Sequence, residues 1–82
     1  MCKEYTSEFL QVSESKNISG NCNSITFLNM GSSAANINGL DLQQNQSISI
    51  AGNYGEKDVT AYYITFAATG TKQLFVIRKL YV

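Results

Sequence analysis

Apolar and polar residues alternate along this chain in short runs, and clusters of Gly, Asn, Ser and Gln separate the runs. Residues 29–50, NMGSSAANINGLDLQQNQSISI, carry the pattern in its densest form. Ala35 and Ile37 flank Asn36 on one arm, and Leu40 and Leu42 flank Asp41 on the other. Each arm has one apolar and one polar face, the period of a half-buried strand. Between the arms lies the turn-forming pair Asn38-Gly39. A type I′ hairpin turn needs φ > 0 at both central residues, and Asn followed by Gly meets that need at low steric cost. Gly31-Ser32-Ser33 before the hairpin and residues 43–46 after it are turn-like clusters. Ser47-Ile48-Ser49-Ile50 then alternates strictly. Strands this short have little stability of their own, so the hairpin must pack on further strands.

The reading extends in both directions. Residues 24–29 predict a strand with Ile25 and Phe27 on one face and Thr26 and Leu28 on the other. Residues 59–67, VTAYYITFA, predict another, because β-branched and aromatic residues fit a pleated sheet. Residues 73–82 predict the last and longest strand, joined to the one before by a hairpin turn over 68–72 with Gly70 available for φ > 0. Residues 13–23 and 52–58 lack apolar periodicity and predict loops, the second exposing Tyr54. Residues 3–12 fit two templates: Leu10 and Val12 share a strand face opposite Tyr5 and Phe9, and Tyr5, Phe9 and Val12 also recur at helical spacing. The β-rich remainder favours the strand. Six or seven short strands predict one all-β domain over residues 1–82, a small antiparallel β-sandwich, Ig-like or jelly-roll-like.

Two strands break simple alternation. In 73–82, Leu74, Val76, Leu80 and Val82 fall on one face and Phe75, Ile77 and Tyr81 on the other. In 59–67, Ile64 and Phe66 oppose Val59 and Tyr63. A strand covered on one face alternates apolar with polar. A domain of this size buries only about 60–65% of the surface its unfolded chain exposes, so it has little mass to cover both faces of both strands. The expectation is a homo-oligomer, dimer or trimer, that assembles through Phe75, Ile77, Tyr81 and Tyr63 in closed symmetry.

Composition narrows the chemistry. Six Lys and Arg balance six Asp and Glu, and charged residues make up 15% of the chain. That argues against a nucleic-acid partner, which clustered cations would serve; Lys72, Arg78 and Lys79 read as solvent contacts. The polar residues are mostly Ser, Thr, Asn and Gln, a neutral surface common in extracellular and virion proteins. The start, MCKEYTSEF, is polar and charged and reads as no signal segment, and no run approaches a membrane span, so no membrane partner is expected. Two N-x-S sequons, at Asn17 and Asn45, carry little weight without such a signal.

Histidine is absent, which removes Ser-His-Asp and Cys-His catalysis and histidine metal sites. Cys2 and Cys22 cannot make a structural zinc site; a disulfide between them needs an oxidising compartment, and two free thiols is the preferred reading. No glycine-rich phosphate loop is present. Glu56 and Asp58 could ligate calcium, but their loop offers few of the six to eight oxygens that ion takes, so solvated charges fit better. Tyr54, Tyr62 and Tyr63 could stack on a sugar, although packing is the expected role of strand tyrosines. The expectation is no cofactor and no enzyme.

At Asn29, Gly31, Ser32, Asn38, Gly39, Leu40, Ser47 and Ile48 the chain resembles small β-sandwich structural proteins of tailed bacteriophages. In these an apolar strand ends in Asn-x-Gly-Ser/Thr, and an Asn-Gly turn precedes a leucine, a polar turn and a Ser-Ile-Ser strand. GEKDVTAYYITF and the basic-aromatic final strand extend the likeness over the larger part of the chain. Where that pattern places Pro-Gly, this chain has Gln43-Gln44-Asn45-Gln46. The resemblance implies a virion component, in capsid, head fibre or tail, that binds copies of itself and other virion proteins. A small carbohydrate-binding or adhesion module is the alternative.

Overall fold

The computed structural model describes residues 4–53 and 56–81, the last of these by its backbone alone. Tyr54, Cys2 and Val82, each named above, lie outside the described residues. Eight strands follow in order: β1 (Tyr5–Val12), β2 (Lys16–Ser19), β3 (Ser24–Asn29), β4 (Ala35–Ile37), β5 (Leu40–Leu42), β6 (Ser47–Ala51), β7 (Ala61–Phe66) and β8 (Leu74–Tyr81). The fold is all-β, with two antiparallel four-stranded sheets ordered β1-β8-β3-β6 and β2-β7-β4-β5.

The pairing follows one rule. β1 pairs with β8, β2 with β7, β3 with β6 and β4 with β5. The chain is one long hairpin whose tip is Asn38-Gly39, with φ of 50° and 92° as a type I′ turn requires. Winding that hairpin on itself adds the remaining pairs, β3 to β8 and β4 to β7. Every connection but the tip crosses between sheets. This strand order is a jelly roll, and it decides between the two kinds of sandwich expected.

Three expectations need correction. The described residues form eight strands rather than six or seven, because β2 lies inside the stretch 13–23 read as loop. β2 has one apolar residue, Ile18, which is buried, and a single apolar position has no period to read. The turn over 68–72 takes φ > 0 at Gly70 but makes no hairpin, because β7 and β8 belong to different sheets. Residues 59–60 lie outside β7, so Val59 is not one of its outward residues; β7 alternates Tyr62, Ile64 and Phe66 inward against Ala61, Tyr63 and Thr65 outward. Only β8 of the two is apolar on both faces.

The core lies between the sheets. Ile25 and Phe27 of β3 and Leu74 and Val76 of β8 meet Ala35, Ile37, Leu42, Tyr62 and Ile64 from the other sheet. The Phe27 and Tyr62 rings sit 5.2 Å apart at 58°, a tilted contact across the layers. Burying each large apolar side chain contributes about 1.5–3 kcal/mol.

One end of the sandwich is closed by a polar residue. Asn29 has the inward parity of Ile25 and Phe27 and is fully buried. Its Nδ2 donates to the carbonyls of Ser33 (3.0 Å) and Leu42 (2.9 Å), and its Oδ1 accepts from the Gly31 amide (3.2 Å). Its backbone amide donates to Gln46 O, and its carbonyl accepts from Asn45 N. One side chain thus ties the β3–β4 loop to the end of β5, and its backbone ties in the β5–β6 turn. That turn bonds Gln46 N to Gln43 O and places Asn45 at φ 67°, so Gln44-Asn45 fill the positions that Pro-Gly takes in a type II turn.

Gly31 and Ser32 then dock the β7–β8 loop. Met30 and Gly31 amides donate to Gln73 O, Ser33 N to Thr71 O, and Thr71 N to Ser32 Oγ at 2.8 Å. A Cβ on Gly31 would lie 2.2 Å from Thr71 O. The Asn-x-Gly-Ser sequence is therefore a loop clamp.

Two outcomes follow for chemical denaturation. Asn29→Asp keeps the shape but turns a buried oxygen toward two carbonyls, and should cost about 3 kcal/mol or more. Gly31→Ala should cost more than Gly39→Ala. The first drives a methyl into backbone; the second meets open space and costs only the left-handed φ, about 1–2 kcal/mol. Urea midpoints of the three variants check both.

Candidate functional site

The sheet β1-β8-β3-β6 has an outer face over which the described residues place no layer. Strand register places Phe9, Ile77 and Thr26 in one row across β1, β8 and β3, and Gln11, Phe75 and Leu28 in the next. Ile77, Phe75 and Leu28 are half-buried among their neighbours, while Phe9 is 72% exposed. Tyr5 stands further along β1 and is also exposed, with the Lys79 ammonium 4.6 Å from its ring centroid. The result is an apolar stripe over three strands, bordered by Ser7, Gln11, Ser47 and Ser49.

Of the residues expected to mediate self-association, Phe75 and Ile77 lie on this stripe. Tyr81 pairs with Tyr5 at the end of β8, and its side chain is outside those described. Tyr63 projects from β7 on the outer face of the opposite sheet, so the structure separates it from the other three. Phe9 was not among the expected contacts. Its signal was its position on the strand face opposite Leu10 and Val12.

The expected turn residues do more than turn. Asn38 Nδ2 donates to Ala61 O (3.1 Å), its Oδ1 accepts from Tyr63 N (2.8 Å), and its amide donates to Tyr63 O. The hairpin tip is thereby stitched to β7.

A second feature is a groove of about 410 Å³ between the free edges of β5 and β6. Phe27 and Tyr62 floor it, and Ile37, Leu40, Ile48 and Ile50 wall it. It exists because β5 is three residues long and leaves the inward-pointing Ile50 partly uncovered. At its polar end Asp58 accepts from Thr60 N (2.9 Å) and from the Tyr62 hydroxyl. The Glu56 carboxylate accepts from Asn53 N at 2.6 Å. Both acids are engaged by the chain's own donors, and no group of three metal-ligating side chains occurs among the described residues. Cys22 is a buried free thiol whose pKa burial pushes up. Tyr62 is core and unavailable for stacking on a sugar; Tyr63 is exposed.

A cross-sheet tie sits at the β1 edge. Arg78 has the inward parity of Leu74 and Val76. Its guanidinium pairs with Glu8, with Nε to Oε1 at 2.7 Å, and donates to the Ser19 (2.7 Å) and Gly20 (3.2 Å) carbonyls at the end of β2.

No family model, curated protein or solved structure matches this chain.

Titration of the groove floor is testable. Burial first, and the Asp58 carboxylate next, push the Tyr62 phenol from 10.0 up to about 12. Hydrogen bonds from Thr60 and then Tyr62 hold the Asp58 carboxyl below the usual carboxylate range. A raised phenol stabilises the fold fully below its unfolded pKa, and this contribution is lost as pH rises through the folded value. Stability should fall between about pH 10 and 12, and Tyr62→Phe should flatten that limb. The Asp58 contribution has the opposite sign: it is present above the unfolded carboxylate pKa and is lost as pH falls through the lowered one. Urea titrations across pH read both.

Proposed function

We propose that this chain is a non-enzymatic structural subunit of a bacteriophage virion, in capsid, head fibre or tail, and that it assembles by self-association through the outer face of β1, β8 and β3. The observation that carries the association is the stripe of Phe9, Ile77, Phe75 and Leu28 on a sheet face that no layer covers among the described residues. Burying a side chain such as Phe9 contributes about 1.5–3 kcal/mol, part of which the ordering cost of association offsets. The virion setting is supported by the resemblance at Asn29, Gly31, Ser32, Asn38 and Gly39, residues that here build the loop clamp and the hairpin tip. Jelly rolls serve in viral capsids and in lectins, so the architecture is compatible with this reading without selecting it. The sugar-binding alternative loses Tyr62 to the core and keeps Tyr63 as its described exposed strand tyrosine in that region.

Phe9→Ser tests the association without disturbing the interior, since Phe9 is mostly exposed. Light scattering at micromolar concentration should give a dimer or trimer for the natural chain and a smaller, equally folded species for the variant. A natural chain that is monomeric there contradicts the association. Mass spectrometry of purified phage particles tests the setting, and particles lacking the chain contradict it.

A further inference from the structure

The two sheets have four edges, and three of them carry features that discourage strand addition. β1 turns the charged Glu8 inward to Arg78. β2 has four residues and a lysine, and β5 has three residues and an aspartate. β6, Ser-Ile-Ser-Ile-Ala, has no charge, and the chain has no proline. Short strands, charges and inward-pointing charged residues are the usual means of blunting a sheet edge.

The hydrogen-bond phase of β6 is fixed by its flanks. Asn29 N donates to Gln46 O at one end, and Gly52 N donates to Asn23 O at the other. Antiparallel ladders alternate, so Ile48 and Ile50 exchange bonds with Phe27 and Ile25. The amides and carbonyls of Ser47, Ser49 and Ala51 therefore point to the free edge.

We propose that β6 pairs with β6 of a second copy, antiparallel about a two-fold axis through Ser49, joining two four-stranded sheets into one of eight. Four observations select this occupant and register. The pattern is self-complementary: Ser49 meets Ser49 of the second copy, and Ser47 meets Ala51, so each free donor faces a free acceptor. Ile48 then faces Ile50 of the second copy in a non-hydrogen-bonded pair, the geometry that brings side chains closest. Shifting the axis to residue 48 or 50 leaves one isoleucine of each copy opposite Gln46 or Gly52. The axis stands perpendicular to the sheet, so all four isoleucines share the inner face, and those of the second copy cover the open side of the groove where Ile50 is exposed. The strand edge carries no charge, so nothing on it repels its own copy.

This edge is distinct from the outer-face stripe, and the proposal stands without it. Two variants test it. Ser49→Pro removes an amide that β3 does not use, a position where an edge strand tolerates proline. Ser49→Cys in a Cys2→Ser background places two thiols across the axis at a Cα separation of about 5.5 Å, within disulfide range. Under mild oxidation Ser49→Cys should trap a covalent dimer, retained when Phe9→Ser is added, while the control Thr65→Cys on the other sheet's outer face stays monomeric. Ser49→Pro should keep its β circular dichroism and halve the mass of any species that β6 pairing builds. Absence of trapping at Ser49, or equal trapping at Thr65, overturns the proposal even if the proline variant unfolds. So does a folded Ser49→Pro chain that retains the full mass of the natural one.

Discussion

The buried amide of Asn29 is the interaction on which the arrangement of this chain depends. A carboxamide placed between two sheets is costly unless both hydrogens and the oxygen find partners. Here they bind the carbonyls of Ser33 and Leu42 and the amide of Gly31. Gly31 and Ser33 lie in the β3–β4 loop and Leu42 at the end of β5, so satisfying one side chain sets the relative positions of β3, β4 and β5. Gly31 then allows the β7–β8 loop to approach more closely than any side chain would permit. The apolar core supplies the driving force and is non-directional; the amide helps decide which loops meet.

Turn chemistry was the part of the fold most legible in the sequence. Asn38-Gly39 specifies its turn locally, and the alternation of β3 gave its inner and outer faces. Connectivity was not legible. The residues of 68–72 show that the chain turns, but nothing local tells whether the strands on either side share a sheet. β2 escaped because Ile18 stands alone among polar residues. Arg78 read as a solvent contact and Asn29 only as a motif residue at the end of its strand, although parity with Leu74 and Val76, and with Ile25 and Phe27, places both inward. Val59 misled in the opposite direction, since its apolar character suggested a two-faced β7 that the strand's actual limits remove. Of the site, Phe75 and Ile77 were legible from two-faced apolarity. Phe9 and Tyr63 depended on which strands lie side by side, which only the winding decides.

Winding also explains why so small a chain leaves surface uncovered. Two four-stranded layers cover each other's inner faces and nothing more. β8, central in its sheet and the longest strand together with β1, is apolar on both faces and has a layer on one. The shortness of β5 similarly leaves Ile50 of β6 without a facing layer. Outer stripe and open edge both follow from a fold with more strands than it has mass to enclose them, and association with further copies would complete both.

The side-chain amide of Asn29 can be observed directly. In a nuclear magnetic resonance hydrogen-exchange experiment on the natural chain, both Nδ2 protons of Asn29 should exchange as slowly as the most protected backbone amides of β3 and β8, because they are released only when the sandwich opens as a whole. Exchange of these protons as fast as those of the exposed Asn17 carboxamide would contradict the account, and would mean that the loops are held together by something other than this residue.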